Sequence, residues 1–388
     1  MQLIQVTDKA TAREFIMVNV LLNKGNPNYI RPLDSDVNFV FDPKKNKTFR
    51  HGQVIRWVLK DRNGELIGRI AAFVNKKYKS KGDEGPVGGI GFFDCINHQE
   101  AADMLFDVAG HWLRDKGMYA MDGPINFGER DRWWGLLVEG FQPPLYCMNY
   151  NAPYYETLFE TYGFRTFFNQ ICIGRNAKNK LPQKFLDRHA LYANDPAFRA
   201  THINKNELEK FAQDFTTVYN KAWSGHGGLK EMRKDQAMVL MKKMKPVMDE
   251  RIVWFVYHNE DPIGIFFNVP DLNQWFKYLN GRFDLWHKLK FLWYKRTKPC
   301  NRFVGIIFGI VPEFQGKGID AYMVVESAKI IQPHTDYVDY EMQWIGDFNP
   351  KMINVAESIG DTFPSRRLVT CRYLFDRTKE FQRHPMLS

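Results

Sequence analysis

Residues 302–329 read Arg-Phe-Val-Gly-Ile-Ile-Phe-Gly-Ile-Val-Pro-Glu-Phe-Gln-Gly-Lys-Gly-Ile-Asp-Ala-Tyr-Met-Val-Val-Glu-Ser-Ala-Lys, and no other stretch constrains the fold as much. Residues 303–311 are an uncharged apolar run rich in β-branched side chains, the pattern of a strand buried on both faces. Pro312 ends it, and Gln315, Gly316, Lys317 and Gly318 make a glycine turn. Ala321, Val324, Val325, Ala328 and Ile331 then recur on one face of a helix. A helix start presents unpaired N–H groups and the positive end of the helix dipole. Strand, glycine turn and helix in that order therefore make a seat for phosphate, which the glycines at 316 and 318 let approach and Lys317 attracts. The plainer reading is a loop whose two glycines only turn the chain.

A second strand follows at 338–345, with Tyr340, Met342 and Trp344 alternating with Glu341 and Gln343. Asn349, a short helix, Gly360 eleven residues on and a strand at 368–375 complete the unit. With these residues in view the stretch resembles the acyl-CoA-binding signature of the GNAT superfamily of N-acyltransferases, in which Gln or Arg is followed after two residues by Gly and after one more by Gly or Ala. Gln315 and Gly318 match, and Asp320 takes the final small position, where a carboxylate favours the helix start and opposes a phosphate. The resemblance implies that Gln315, Gly316, Lys317, Gly318, Ile319 and Asp320 bind acetyl-CoA or another acyl-CoA. It further implies N–H donors to the thioester carbonyl near Ile310 and Val311, with Gly309 allowing a local bulge. Acyl carrier protein could present the acyl group instead. The Tyr that protonates the departing thiolate in this superfamily corresponds to Ala356 here and to Phe159 in the first half.

At 388 residues, 44% of them apolar, the chain can bury two cores. The first half carries the same succession: a helix at 10–23, strands at 54–59 and 66–74 joined by Asp61-Arg62-Asn63-Gly64, a strand at 87–96, a helix at 99–116, a short strand from 119 and a helix at 152–162. Asn97-His98-Gln99-Glu100 replaces the glycine turn, so this half lacks a phosphate seat. The expected fold class is α/β (α+β), with two tandem GNAT-like units, each a mixed, mostly antiparallel sheet flanked by helices. The units are a degenerate one at 1–175, a linker at 176–197 and a cofactor-bearing one at 198–388. The architecture is similar to that of tandem GNAT proteins such as the N-myristoyltransferases and the Fem peptidyltransferases. A closer resemblance, covering nearly the whole chain, is to a bacterial family of tandem GNAT-like proteins. It rests on Gly123-Pro124-Ile125-Asn126, Gly135 to Phe141 and on to Pro144, Met148 to Tyr155, Pro270-Asp271-Leu272-Asn273, Asn280-Gly281-Arg282 and Glu341 to Asn349.

Acyl transfer to an amine needs a proton acceptor and a donor for the leaving thiolate. Glu341 is the base candidate, because a carboxylate in an otherwise apolar strand is desolvated and takes up a proton readily; the alternative is a buried salt bridge with Arg366, Arg367 or Arg372. Asp347 and Asn349 follow the strand end, and Asn349 can equally cap the next helix. Asn126, Tyr154, Asp271, Asn273 and Trp344 are the acceptor-binding candidates, with packing of a domain interface as the other reading for the aromatic ones. His226 sits among glycines and could titrate, although a lone His is more often structural.

The five cysteines are scattered without metal-ligand spacing, so no metal is expected. The N-terminus lacks the layout of a signal peptide, and cytoplasmic residence is the expectation. Much of the net charge of +10 lies at 276–302, where eight Lys and Arg face Asp284 alone. The expected partner is a small-molecule or lipid-like amine, with acyl carrier protein possible, no strong nucleic-acid signal, and peripheral membrane contact possible through 283–294. That segment places Leu285, Trp286, Leu289, Leu292 and Trp293 on one helical face, and the favoured reading is a helix covering the core. Alternatives to an acyl-CoA-dependent N-acyltransferase are a CoA-binding or regulatory protein without catalysis, suggested by Asp320 and Ala356, and a Fem-like aminoacyl-tRNA-dependent transferase, suggested by the basic surface.

Overall fold

A computed structural model describes residues 1–223 and 231–387. His226 lies outside them. The first half runs β1 (Gln2–Gln5), α1 (Lys9–Leu22), α2 (Asp34–Val40), β2 (Gly52–Lys60), β3 (Leu66–Asn75), β4 (Val87–Cys95), α3 (Gln99–Asp115), β5 (Ala120–Gly123), β6 (Leu136–Glu139), α4 (Tyr155–Tyr162) and β7 (Arg165–Asn176). After α5 (Gln183–Ala190) come β8 (Phe198–His202), α6 (Leu208–Trp223), α7 (Lys234–Met244), β9 (Val253–His258), β10 (Asp261–Pro270), α8 (Asn273–Phe276) and α9 (Leu285–Thr297). The chain closes with β11 (Arg302–Ile310), α10 (Ile319–His334), β12 (Asp339–Gly346), α11 (Pro350–Ser358) and β13 (Thr362–Leu374).

Among the described residues thirteen strands form one sheet, ordered β1-β2-β3-β4-β5-β13-β7-β12-β11-β10-β9-β8, with β6 alongside β13. Each half contains an antiparallel meander and one parallel pair, β4 with β5 and β11 with β12, bridged by α3 and α10 respectively. A parallel pair needs such a crossover. The last strands are exchanged: β7 from the first half pairs with β12, and β13 from the second pairs with β5. Both then pair with each other along almost their whole length, so one continuous sheet spans the 176–197 connection.

The two main cores lie under the two meanders. Phe93, Leu105, Phe106 and Phe159 anchor the first, and Phe211, Phe255, Phe267 and Met323 the second. α3 is capped at His98, whose Nδ1 accepts from the Ala101 amide.

Two expectations need correcting. β11 is not buried on both faces, since residues 305–308 are partly exposed and Ile306 is 40% exposed. The stripe of α9 does not cover the core either. Leu285, Trp286, Leu289, Leu292 and Trp293 all point outward, and the helix is held instead by Phe291, packed with Leu33, Trp275, Phe276 and Leu279.

Candidate functional site

The exposure of β11 has a geometric cause. Its parallel register with β12 runs from Arg302 opposite Asp339 to Gly305 opposite Met342 and stops there, although β11 continues to Ile310 and β12 to Gly346. β12 stays with β7, bulging at Gln343 and Trp344, while β11 stays with β10. The two central strands therefore part, and backbone groups of residues 306–310 that would have met β12 face a gap. That bulge also breaks the alternation read for Tyr340, Met342 and Trp344. A second bulge lies on β11 at the mouth of the gap: Gly305 faces Asn268 and Ile307 faces Phe267, leaving Ile306 without an opposite residue.

The bulge is thus at Ile306 and not at Gly309. Gly309 is glycine for a different reason, since a Cβ there would come within 2.0 Å of the Trp223 ring. The expected donor Val311 is also unavailable, because its N–H is bonded to the Ile263 carbonyl at 2.9 Å. The Ile310 carbonyl accepts from Gln315 Nε2 at 2.9 Å, so Gln315 fastens the glycine turn to the end of the strand.

The turn leads into α10 with Gly316 at φ +72° and Gly318 at φ +90°, both in the left-handed region that side chains disfavour. Among the described residues no acceptor meets any amide from Gly316 to Ala321, and no side chain caps the helix. Six consecutive N–H groups at a helix start are a ready anion site. Lys317 lies within the turn, and the stem of Arg188 packs against it: a Cβ on Gly318 would lie 3.2 Å from Arg188 Cβ. Arg188 belongs to α5, which is docked on α10 by Phe185 against Ala321, Val324 and Val325, a burial worth roughly 2 kcal/mol. The Tyr192 hydroxyl donates to the Lys317 carbonyl at 2.5 Å and steadies the turn. The Asp320 carboxylate makes no hydrogen bond among the described residues and lines the gap.

The gap itself is an apolar slot of about 30 Å³ between β11, β12, α10 and α11, walled by Phe308, Val324, Met342, Met352 and Ala356. Tyr340 lies in it. Its ring stacks on Phe303 at 4.7 Å, its hydroxyl lies against Gly305, and no hydrogen-bond partner for that hydroxyl is found among the described residues. A Cβ at 305 would stand 2.4 Å from the phenol oxygen, which explains the glycine. Burial raises the Tyr340 phenol well above its ordinary value. Sequence reasoning passed over this residue. The pattern at 338–345 could not single it out, because its place beside Gly305 depends on the parallel register of β11 with β12.

The other expected residues are placed elsewhere. Glu341 is 3% exposed, and its Oε1 accepts from Arg366 Nε at 2.7 Å and Ser365 Oγ at 2.9 Å. Oε2 faces the other Arg366 nitrogen at 3.3 Å and Arg302 at 3.7 Å. The carboxylate is enclosed by two guanidiniums, so the salt-bridge alternative describes it and the base reading does not. Asp347 accepts from Asn169 Nδ2 and Arg383, and Asn349 caps α11 through the Met352 amide at 3.2 Å.

Asp271 and Asn273 join Glu341 in a buried seam between the halves. Asn273 Nδ2 donates to the Pro144 carbonyl at 2.8 Å, and Arg366 donates to the carbonyls of Gln142 and Pro143. Burial pushes the Asp271 carboxyl up to about 6, against the opposing pull of Arg302 at 3.8 Å. Asn126 is buried with its Oδ1 unpartnered among the described residues, and Trp344 packs near Phe168. The Tyr154 hydroxyl is bonded to the Cys95 carbonyl. It is Tyr155, with Asn19, Tyr29, Arg69 and Asp94, that lines a cavity of about 50 Å³ in the first half. The acceptor candidates therefore do not converge on one site. Among the described residues no three His, Cys, Asp or Glu side chains are grouped so as to hold a metal.

No family model matches the chain. Over nearly its whole length it is similar to the bacterial ceramide synthase of Caulobacter vibrioides (strain NA1000 / CB15N), 25% identical over 367 residues that cover 93% of this chain and 94% of the relative. It is also similar to protein YghO of Escherichia coli (strain K12), 23% identical over 361 residues, 91% and 90% of the two chains. Among solved structures it matches a tandem GNAT protein from the clavulanic acid biosynthesis pathway with TM-score 0.54 and 10% identity, covering 96% of this chain and 98% of that one. A GCN5-related glucosamine N-acetyltransferase region in a fungal multi-domain GH3 β-N-acetylglucosaminidase matches with TM-score 0.56 and 12% identity, over 96% of this chain and 38% of that longer one. The fold is that of tandem GNAT proteins, as the signature at 315–320 led one to expect.

Proposed function

We propose that this protein is an acyl-CoA-dependent N-acyltransferase whose acceptor is a long-chain, lipid-like amine. The observation that carries the reading is the parting of β11 and β12 beneath a helix start whose first six amides have no partner among the described residues. A diphosphate fits that seat chemically, with Lys317 in the turn itself and Arg188 on the helix packed against it, and a chain leading inward would have to widen the apolar slot of about 30 Å³ between the strands. A bound thioester would supply an activated acyl group.

The roles of the chain's own residues follow. Backbone N–H groups at the Ile306 bulge would polarise a carbonyl entering the gap, where low dielectric strengthens such a bond. Amide formation joins the amine nitrogen to the carbonyl carbon, breaks the carbon–sulfur bond, and moves one proton from nitrogen to sulfur. The Tyr340 phenol, which lines the slot, would give that proton to sulfur and be recharged from the amine or from water, a part the superfamily resemblance would assign to position 356. The lipid-like acceptor is supported by the similarity to the bacterial ceramide synthase, since a ceramide is an N-acylated long-chain amino alcohol. An acyl-CoA donor and five unpaired cysteines would place the reaction in a reducing compartment such as the cytoplasm.

Calorimetry with CoA tests the seat: wild type should bind, and Gly318→Trp and the milder Lys317→Glu should not. Incubation with long-chain acyl-CoA and long-chain amino alcohols, read by mass spectrometry, tests the reaction. CoA binding with no amide product from any amine would leave a cofactor-binding protein without catalysis.

A further inference from the structure

α9 presents five large apolar side chains to solvent, Leu285, Trp286, Leu289, Leu292 and Trp293, each between 53 and 77% exposed. At 3.6 residues per turn they occupy roughly a third of the helix circumference, on the side away from the buried Phe291. Charge is arranged around this stripe in a definite way. Lys288 falls along one border of it, Lys290 along the other, and Arg296 within its C-terminal end. Lys277, Arg282 and Lys298 are exposed on the flanking segments. Asp284, the acidic residue here, is occupied in capping the helix through the His287 amide. Lysines bordering an apolar stripe can lay their stems along it and keep their ammonium groups level with anionic headgroups, while tryptophans favour the boundary between headgroup and acyl chain.

The helix is also held rigidly enough to present this face. Trp275 Nε1 donates to the Lys298 carbonyl at 3.1 Å, Lys295 Nζ donates to the Pro246 carbonyl, and the Gly281 carbonyl accepts from the Asp34 amide of the first half. No helix among the described residues is long and apolar enough to cross a membrane, so contact through this element would be parallel to the surface.

We infer that α9 docks the protein on the surface of an anionic lipid bilayer, its five apolar side chains entering the headgroup region and its cations pairing with lipid phosphates. This inference stands apart from the acyltransfer reading, because its test reads binding alone. The full-length protein is floated with vesicles of phosphatidylcholine, with and without phosphatidylglycerol. Wild type should float with the anionic vesicles and be released by salt. Leu289→Glu with Leu292→Glu should lower the partition coefficient by about tenfold or more, and Lys288→Glu with Lys290→Glu should remove the preference for phosphatidylglycerol. Because all four positions are at the surface, thermal unfolding should be unchanged, which separates lost docking from lost folding. Failure to float with phosphatidylglycerol vesicles would overturn the inference. So would a dimer in solution that the Leu289→Glu, Leu292→Glu pair dissociates, since the stripe would then be an interface between copies of this chain.

Discussion

Arg366 donates its Nε proton to Glu341 Oε1 at 2.7 Å, with the guanidinium wholly buried and its other nitrogens bonded to the Gln142 and Pro143 carbonyls. One side chain thus ties β12 and β13 to a loop of the other half. Removing one partner leaves a buried charge without compensation, which costs about 3–5 kcal/mol. Glu341→Gln should therefore lower the urea midpoint strongly, and Glu341→Met with Arg366→Met should recover much of that loss. If Glu341→Gln were as stable as wild type but without activity, the carboxylate would be a catalytic base after all.

The phenol of Tyr340 touches Gly305 where the central strands part. Tyr340→Phe should reduce kcat by about 100-fold while leaving CoA affinity unchanged. The wild-type rate should also keep its acid-form plateau to higher pH than an ordinary tyrosine would allow, because burial raises this phenol. Gly305→Ala gives an independent check, since its Cβ would stand 2.4 Å from the phenol oxygen and must displace it. If single-turnover rates of Tyr340→Phe matched those of wild type, the proton would come from elsewhere.

Asp271 makes stability depend on pH. Its carboxyl is raised by burial from 3.8 to about 6, so between those values the folded chain holds more protons than the unfolded one. Stability from this group is then present below pH 4 and declines as pH rises through about 6, by on the order of 2–3 kcal/mol. Asp271→Asn should flatten this part of the stability profile in urea titrations at pH 4 to 7. An unchanged slope would mean that Arg302 outweighs burial at this site.

The parts of this architecture that depend on local pattern were legible in the sequence. The apolar run at 303–311, the glycine turn and the helical spacing from Ala321 to Ile331 give β11 and α10, and Asp61-Arg62-Asn63-Gly64 gives the β2–β3 hairpin. The exchange of β7 and β13 was not legible, because nothing in either strand's own pattern names its neighbour. The site divides in the same way. The amides of 316–321 follow from glycine spacing, and Arg366 was among the partners open to Glu341, whereas the true position of the bulge at Ile306 depends on the register with β10. For α9 the periodicity located the stripe correctly, but five apolar side chains on one face look alike whether that face meets the core or the solvent. The buried anchor turned out to be Phe291, a single residue on the opposite side.

Asp320 is the residue at which the seat departs from its expected pattern, and two opposing effects can be separated there. As an acidic side chain in the first turn of α10 it favours the helix by about 0.3–1 kcal/mol through the helix dipole. Toward a diphosphate on the neighbouring amides the same charge is repulsive, by about 1 kcal/mol at the separations of a solvent-facing site. Asp320→Ala should consequently lower thermal stability slightly and tighten CoA binding by roughly fivefold at low ionic strength. The gain should shrink as salt rises, because the site opens to solvent. Calorimetric titrations at two salt concentrations, beside a thermal melt, read both quantities on one preparation. If Asp320→Ala weakened CoA binding instead, the carboxylate would be part of recognition, and the ligand of this helix start would have to carry a donor or a positive charge where a phosphate has neither.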